Sequence, residues 1–269
     1  IDDVFVGIAG QHIKSLQHRG EIVRDNIDIE IDKADIDKLK SNMFKLITIP
    51  GEEVIHVIPQ EYTVDGEDGI QDPKGMAGVK LEANFHVVVG QVSSIRNIGR
   101  CVKSSGLQLE GITLEPLASA NAVLSREEKE AGVALIDIGG GTSEIAVIAL
   151  GGIVCDKSIR IAGDDFTQDI EEYMRRQHNI LVGERTAEQL KIEVGAAITD
   201  LDVPPEDFAV HGRDLMTGIP KEITVSYKEI AHCLDKSVSK IEAAVMSALE
   251  MTPPELSADI YRVGIYLAG

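Results

Sequence analysis

Length, composition and charge narrow the possible functions of the chain. Its 269 residues can bury a substantial core in one large domain or two. The 43% apolar and 26% charged residues are typical of a soluble globular protein. The net charge of −19 argues against nucleic acid, whose phosphates require a basic face, and against unassisted electrostatic attachment to anionic lipid. Three scattered cysteines and the lack of any apolar run as long as a membrane span predict a cytoplasmic protein with reduced thiols.

Residues 1–90 are predicted to form a small, strand-rich α+β module. Predicted strands cover residues 4–9, 21–24, 53–64 and 81–89. A helix capped by Asp32 has four apolar residues on one face, Ile36, Leu39, Met43 and Leu46. A turn-rich polar loop is predicted at residues 65–78. The four histidines of the module lack the short spacing of metal ligands, so it is interpreted as an interaction domain without catalytic residues.

Residues 133–148, with the sequence VALIDIGGGTSEIAVI, predict two buried strands joined by a tight glycine turn. Asp137 precedes Gly139, Gly140 and Gly141, and Thr142 follows them. Such a turn lets backbone N–H groups approach a phosphate, while Asp137 and Thr142 suit a water or a hydrated Mg²⁺. On these residues alone, a glycine-rich hairpin with an incidental acid stays open as the alternative. A Walker loop is excluded because no lysine follows the glycines, and a Rossmann loop because a strand follows them.

The segment before this hairpin is predicted as a helix, a strand at 109–114 and a helix at 117–124, followed by a polar connector at 125–130. Glu115 stands between the strand and the second helix, beside a proline. An acid at that position is also expected simply to stabilise the helix dipole.

The segment after the hairpin is predicted as a strand at 153–161 and a helix that Gly163 and Asp164 open. N–H groups at that helix start could face a phosphate, although a plain capped helix explains the same residues. Glu188 and Lys191 stand three apart on one helical face, where a surface salt bridge is the default interpretation. Residues 200–222 are predicted to be an irregular peripheral insertion, and residues 227–249 a long amphipathic helix.

The hairpin closely resembles the phosphate hairpin of the actin/DnaK-type ATPase superfamily. Residues 6–20, IPQEY at 58–62 and DPKGMAGVKLEANFH at 72–86 resemble the bacterial cell-division family FtsA, in particular its subdomain 1C. SIRIAGDDF at 158–166, LVGERTAEQLK at 181–191 and VHGRDL at 210–215 resemble the rod-shape family MreB. FtsA-like sequence covers about residues 1–145 and MreB-like sequence about residues 146–269. That pattern is the one expected of a chimera.

The resemblance implies an α/β fold: an actin-like ATPase (ribonuclease H-like) domain preceded by a small α+β module of the FtsA 1C type. It implies three parts in the chain. Residues 1–90 would be the interaction module and residues 91–132 a remnant of subdomain 1A. Residues 133–269 would be subdomains 2A and 2B, with 2B at about 180–224.

The resemblance also implies a site for ATP and Mg²⁺. Asp137 would hold Mg²⁺ through water and act with Thr142 and Glu115 in slow hydrolysis, Glu115 orienting or polarising the attacking water. The remaining cofactor contacts would come from Gly139, Gly140, Gly141, Gly163, Asp164, Glu188, Lys191 and Gly269. Among these, Glu188 and Lys191 would bracket the ribose and adenine. Since half of subdomain 1A lies outside the chain, we expect it to be a segment of a longer protein with weak or absent nucleotide binding.

The function that follows from the resemblance is ATP-dependent filament formation in bacterial cell division or cell-shape control. The partners would be the protein itself and other division or shape proteins, at the inner face of the cell membrane. Membrane contact would be made only by elements outside this chain. The alternative is a non-enzymatic interaction or scaffold module. A DnaK-type chaperone or a sugar kinase is disfavoured by the 1C-like sequence and by the lack of a substrate domain.

Overall fold

The computed structural model describes residues 2–10, 12–25, 29–46, 50–149 and 152–269. The helices are α1 (Lys33–Leu46), α2 (Val92–Ser104), α3 (Glu115–Val123), α4 (Arg126–Ala131), α5 (Gly163–His178), α6 (Glu184–Val194), α7 (Tyr227–Glu250) and α8 (Pro254–Val263). The strands are β1 (Asp3–Ile8), β2 (Ile13–Val23), β3 (Glu52–Val64), β4 (Glu67–Ile70), β5 (Lys80–Gln91), β6 (Gln108–Leu114), β7 (Val133–Ile138), β8 (Ser143–Ala149), β9 (Gly152–Ile159), β10 (Ile180–Leu181), β11 (Phe208–Asp214), β12 (Pro220–Val225) and β13 (Ile265–Ala268). Within the described ranges, none of the helices has the length and apolar character needed to cross a membrane.

The chain divides into two compact units. Unit 1 comprises Ile1–Asp137, Glu144–Ser158 and Ala248–Gly269, and unit 2 comprises Ile138–Ser143 and Ile159–Ser247. The predicted three-part division at residues 90 and 132 stays a prediction.

The N-terminal part of unit 1 is an antiparallel sheet with the strand order β2-β5-β3-β4. Helix α1 packs on one face of it, and Ile36, Leu39 and Met43 are buried there, as the predicted apolar stripe requires. The side chain of Leu46, the fourth member of that stripe, lies outside the described residues. Gly20 on β2 makes the packing possible, because a Cβ there would lie 2.5 Å from Met43 Sδ.

The rest of unit 1 is built around a four-stranded sheet with the order β13-β7-β8-β9. Strand β13 is parallel to β7, and Ala268 is paired with Asp137. Residues of α3 and β6 share a buried cluster with this sheet, through Ala120, Leu114, Val133 and Leu135. A separate pair of parallel strands, β1 and β6, completes the unit.

Polar contacts join the sheet of β2, β3 and β5 to the remainder of unit 1. The N–H of Leu114 donates to His56 Nε2 at 2.9 Å, and Gln60 Nε2 donates to the carbonyl oxygen of Ile153 at 3.3 Å. The buried His86 lies with Nε2 3.5 Å from Asp156 Oδ1. Burial and the neighbouring His86 hold the pKa of His56 below its usual value, so its neutral form is favoured.

Unit 2 packs α5, α6 and α7 around the small antiparallel sheet β10-β11-β12. Its core includes Ile170 and Met174 of α5, Leu190 of α6 and Ile230 of α7. The long helix predicted at 227–249 is confirmed as α7.

Strand β2 spans Ile13–Val23 although only residues 21–24 were predicted, and helix α8 was not predicted. Three further segments differ from the sequence-based expectation. The loop predicted at 65–78 contains the strand β4, and the irregular insertion predicted at 200–222 contains β11 and the first half of β12. Helix α4 (Arg126–Ala131) takes up most of the connector predicted at 125–130. These elements are short and polar, so no long apolar period marks them in the sequence. Tertiary pairing of β11 with β10 and β12 supplies the stability that the local sequence lacks.

Candidate functional site

The glycine turn between β7 and β8 is the centre of the candidate site. The N–H of Gly139 donates to the carbonyl oxygen of Thr142 at 3.0 Å and closes the turn. None of the three glycines has a φ in the left-handed region, so backbone conformation alone does not require them. At Gly139 the lack of space favours glycine, because a Cβ would lie 3.2 Å from the Thr142 carbonyl oxygen. The predicted tight turn between two buried strands is confirmed.

The turn is hydrogen-bonded to the first residues of α5. The N–H groups of Gly163 and Asp164 donate to the carbonyl oxygens of Gly139 and Gly140, at 3.0 and 2.8 Å. A Cβ on Gly163 would lie 3.3 Å from both the Gly139 carbonyl oxygen and Lys191 Nζ, which explains the glycine. These two helix-start amides are therefore used within the protein, although the sequence had suggested them for phosphate binding.

The side chain of Asp164 points back to the glycine turn. A Cβ built on Gly140 would lie 3.7 Å from its Oδ1, and one built on Gly141 would lie 3.9 Å from its Oδ2. A carboxylate beside a bare loop repels a phosphate unless a cation lies between them. The turn is thus suited to a polyphosphate bound together with a divalent cation.

Lys191 and Glu188 of α6 form the predicted pair on one helical face, with Nζ and Oε2 2.6 Å apart. Lys191 Nζ also donates to the carbonyl oxygen of Gly163 at 2.9 Å and to Thr167 Oγ1 at 3.0 Å. Hydrogen bonds from Lys191 and then from Thr167 lower the pKa of Glu188 and keep it ionised. The pair is therefore tied to the α5 residue that contacts the turn.

A second group of candidate residues lies in unit 1. The buried carboxylate of Asp137, at the end of β7, accepts a hydrogen bond from Ser119 Oγ on α3. Burial first, and then the charge of Asp137, raise the pKa of Glu115 at the start of α3. The packing of residues 91–132 against the hairpin strand, which a role for Glu115 requires, is thus present. Gly269 follows β13, whose Ala268 is paired with Asp137. It therefore lies beside Asp137 at the carboxyl ends of these two parallel strands.

Two residues of these groups, Ser119 and Thr167, were missed in the sequence. Each stands one helical turn after a predicted site residue, Ser119 after Glu115 and Thr167 after Gly163. The i, i+4 spacing on a helix was the available signal. Their acceptors, Asp137 and Glu188, are about 20 residues further along the chain and could not be read from that spacing.

Comparison with protein families assigns the two parts of the chain. The model of the MreB/Mbl protein family matches residues 86–269. The chain belongs to the MreB/Mbl family. Residues 10–89 match the SHS2 domain inserted in FtsA, so this member carries that domain ahead of its MreB-like part. The predicted combination of an actin-like domain with FtsA-like and MreB-like parts is confirmed.

Curated relatives come from both families. FtsA of Pseudomonas aeruginosa is 36% identical over 271 residues, which covers all of this chain and 61% of the relative. Mbl of Bacillus subtilis is 43% identical over 155 residues, covering 58% of this chain and 46% of the relative. MreB of Escherichia coli is 39% identical over 174 residues, covering 65% of this chain and 50% of the relative. The chain thus spans about half to three-fifths of these relatives.

The matched ranges alter where the two resemblances meet. MreB-like sequence begins at residue 86, well before the change that the sequence suggested near residue 146. The FtsA relative, in turn, aligns along the whole chain. From residue 86 onward the MreB/Mbl-like part is therefore also alignable with FtsA.

Solved structures agree with the fold. MreB 5 of Spiroplasma citri bound to AMPPNP has a TM-score of 0.59 and 36% identity, over 66% of this chain and 52% of that one. The PilM–PilN type IV pilus biogenesis complex has a TM-score of 0.53 and 11% identity, over all of this chain and 69% of that one. A MamK double helical filament has a TM-score of 0.52 and 17% identity, over 67% of this chain and 52% of that one. The last two identities are low and show the actin-like fold alone.

Proposed function

We propose that the chain is the nucleotide-binding part of an actin-like filament protein that acts in bacterial cell division or cell-shape control. The observation that carries the proposal is the glycine turn hydrogen-bonded to the start of α5, with Lys191 on the next helix. It is supported by the MreB/Mbl match and by the AMPPNP-bound structure of a relative. We place the protein at the cytoplasmic face of the membrane, with copies of itself and other division or shape proteins as partners.

The turn and its surroundings fit an adenine nucleotide with Mg²⁺. Gly139, Gly140 and Gly141 leave the loop without side chains, and the nearby Asp164 calls for a cation beside any bound phosphate. Asp137 would hold Mg²⁺ through water, since this ion usually keeps several of its waters. Bound there, Mg²⁺ would neutralise charge on the phosphates. The carboxylate of Asp164 would face that cation, since its N–H and that of Gly163 already donate to the glycine turn. Gly269 is a further proposed contact.

Glu115 would orient the water that attacks the phosphate. Its raised pKa makes the carboxylate a better proton acceptor than an ordinary glutamate. Ser119 donates a hydrogen bond to one carboxylate oxygen of Asp137 and so fixes the orientation of Asp137, the acid whose charge acts on Glu115. Thr142, directly after the glycines, is the proposed hydroxyl partner of the same water. We expect slow hydrolysis, since these residues position a water and supply no covalent chemistry.

We further propose that the isolated chain binds nucleotide weakly, because it spans only part of the length of its relatives. Titration calorimetry with Mg-ATP tests this, and we expect a dissociation constant above one micromolar. The decisive variant is Gly140→Ala, whose new Cβ meets only ordinary contacts but occupies the loop surface. We expect it to weaken Mg-ATP binding by about tenfold, the loss of one charge-assisted hydrogen bond.

Gly183→Ala is the matched control for that titration. Gly183 lies in the same unit, its φ is −91°, and a Cβ there meets nothing within 4 Å. It should leave the affinity unchanged. A sub-micromolar constant for the unaltered chain would contradict weak binding. Equal affinities for Gly140→Ala and Gly183→Ala would contradict phosphate binding at the turn.

The second candidate function is a scaffold that binds other proteins without using nucleotide. The SHS2 match over residues 10–89 favours it, because this domain is an insertion separate from the glycine turn. Sedimentation of the chain with and without Mg-ATP separates the two functions. A filament protein should sediment in a nucleotide-dependent way, and Gly140→Ala should need about tenfold more Mg-ATP for the same effect. A scaffold should behave alike with and without Mg-ATP in both proteins.

A further inference from the structure

Thr167 lies at the centre of a polar cluster in unit 2. Its side chain is buried on α5, one turn after Gly163. Its Oγ1 contacts three groups: the Gly163 carbonyl oxygen at 3.0 Å, Lys191 Nζ at 3.0 Å and Glu188 Oε2 at 2.6 Å. A single hydroxyl therefore links the helix start beside the glycine turn to both charged residues of α6.

The direction of these hydrogen bonds follows from the protons available. The ammonium of Lys191 can only donate, so Thr167 Oγ1 accepts from it. The hydroxyl then has one proton for two acceptors, the Gly163 carbonyl and the Glu188 carboxylate. The carboxylate is 0.4 Å closer (2.6 against 3.0 Å) and charged, and charge-assisted bonds are the shorter and stronger ones. Thr167 thus donates to Glu188 Oε2.

Lys191 has no proton left for a ligand in this arrangement. Its three protons match three acceptors, the Gly163 carbonyl oxygen at 2.9 Å, Thr167 Oγ1 at 3.0 Å and Glu188 Oε2 at 2.6 Å. The lysine therefore serves the protein's own structure, even though its partner Glu188 is half exposed.

Glu188 is held differently on its two oxygens. The contacts from Lys191 and Thr167 both end on Oε2. Its side chain is 45% exposed, and Oε1 takes part in neither contact. An ionised carboxylate clamped through one oxygen presents the other as an acceptor with fixed direction. The ligand groups that suit it are hydroxyls, which donate a proton without bringing a charge.

We propose that Thr167 is a positioning residue that determines ligand specificity: it clamps Glu188 Oε2 so that Oε1 accepts hydrogen bonds from the hydroxyl groups of a ribose. The inference rests on the proposed nucleotide-binding function and adds the residue that makes the site prefer a ribonucleotide to a deoxyribonucleotide. Thr167 itself touches no ligand. Without its hydroxyl, the carboxylate is free to rotate and the preference is lost.

The test compares Mg-ATP with the Mg²⁺ complexes of 2′-deoxy-ATP and 3′-deoxy-ATP, using titration calorimetry on the full chain. Thr167→Val keeps the shape of the side chain and removes the hydroxyl, whereas Thr167→Ser keeps the hydroxyl. We expect the unaltered chain and Thr167→Ser to bind ATP about tenfold more tightly than the weaker deoxy form. In Thr167→Val the affinities for ATP and for the weaker deoxy form should differ by no more than about twofold, because the affinity for ATP falls.

The outcomes separate the inference from the function on which it rests. A Thr167→Val variant that keeps the full ratio overturns the role of Thr167 and leaves nucleotide binding intact. An unaltered chain that binds none of the three triphosphates up to millimolar concentration overturns the proposed function, and the inference falls with it. If circular dichroism shows that Thr167→Val does not fold, Thr167→Ala replaces it with the same expectation.

A second measurement needs no nucleotide. Carboxyl NMR of Glu188 should show a higher pKa in Thr167→Val than in the unaltered chain, because one bond to the ionised form is lost. Thr167→Ser should restore the original pKa. An unchanged pKa in Thr167→Val would mean that the hydroxyl does not hold Oε2, and would overturn the proposal.

Discussion

At the scale of single residues, two acids in unit 1 depend on each other. Asp137 is buried and held by Ser119, and its charge is the second cause, after burial, of the raised pKa of Glu115. Protonation of Glu115 relieves the repulsion, while ionisation at neutral pH makes it a strong acceptor for a water proton. Burial and the Asp137 charge thus favour proton acceptance by Glu115 in the protein without a bound ligand.

Removing the charge of Asp137 should lower the pKa of Glu115. In Asp137→Asn the repulsion disappears but burial remains, so we expect a fall only part of the way to the ordinary glutamate value. Carboxyl NMR titration of Glu115 measures it. Glu110→Gln, a change at an exposed acid on the preceding strand, is the control and should leave the pKa of Glu115 where it was. A Glu115 pKa that is unchanged in Asp137→Asn would show that the two acids are not coupled.

At the scale of secondary-structure elements, the short helix α4 depends on its ends. Ser125 Oγ accepts from the N–H of Glu128 at 3.2 Å, and the Ser125 N–H donates to Glu128 Oε2 at 2.7 Å, a reciprocal capping box. Tyr266 of β13 donates its hydroxyl proton to the other oxygen of Glu128. A six-residue helix has too few internal bonds to persist without such support.

Ser125→Ala should lower the free energy of unfolding by about 1 kcal/mol, the usual cost of losing a helix cap. Urea unfolding followed by circular dichroism provides the measurement. Ser104→Ala, at an exposed serine ending α2, should change it by less than about 0.5 kcal/mol. Equal effects of the two substitutions would argue that the capping box contributes nothing.

The sequence predicted most long elements of this fold and missed the short ones for a physical reason. Two long elements are exceptions: β2 was predicted only at residues 21–24, and α8 was not predicted. Helices α1, α5 and α7 and strands β3 and β5 each repeat an apolar pattern over ten or more residues. Strand β4 and helix α4 are four and six residues long and carry no such pattern. The serine–glutamate spacing of the capping box was present at α4, but a cap signature without an apolar stripe was not enough to predict a helix.

The candidate site likewise has one part that the sequence could predict and another part that it could not. Asp137, the three glycines and Thr142 lie next to one another in the chain, so their proximity could be predicted from local sequence. The hydrogen bonds from Gly163 and Asp164 to the turn, from Ser119 to Asp137 and from Thr167 to Glu188 join residues about 20 positions apart or more. Such contacts depend on how helices pack, which spacing alone does not specify.

At the scale of the whole molecule, the SHS2 domain is joined to the rest of unit 1 through a neutral histidine. His56 accepts from the Leu114 N–H, and its lowered pKa keeps it able to do so. The neighbouring His86 faces Gln17 on one side and Asp156 on the other. Protonating His56 would remove the acceptor for the Leu114 N–H and place a positive charge beside the buried His86.

The free energy of unfolding should therefore decrease as the pH falls below about 6.5, the ordinary histidine pKa. Above that pH both folded and unfolded chains carry a neutral His56, and the hydrogen bond from Leu114 to His56 contributes fully to stability. Below it the unfolded chain binds a proton that the folded chain resists, so stability is lost until the lowered folded pKa is passed. Urea titrations between pH 5.5 and 7.5 measure the slope.

His56→Gln keeps an acceptor and removes the titration, so its stability should vary less with pH over that range. His18→Gln, at an exposed position of the same sheet, should keep the slope of the unaltered chain. If all three proteins show the same slope, the pH dependence comes from other groups.

The pairing of β13 with β7 has a consequence for how the protein is made. Asp137 lies at the end of β7, and its partner Ala268 leaves the ribosome roughly 130 residues later. At ordinary rates of synthesis that delay is on the order of 10 s. During this time β7 lacks the neighbour that it has on one edge among the described strands, and that edge is open to strands of other nascent chains. Slower translation of the roughly 130 residues between Asp137 and Ala268 should therefore raise the fraction of newly made protein that aggregates.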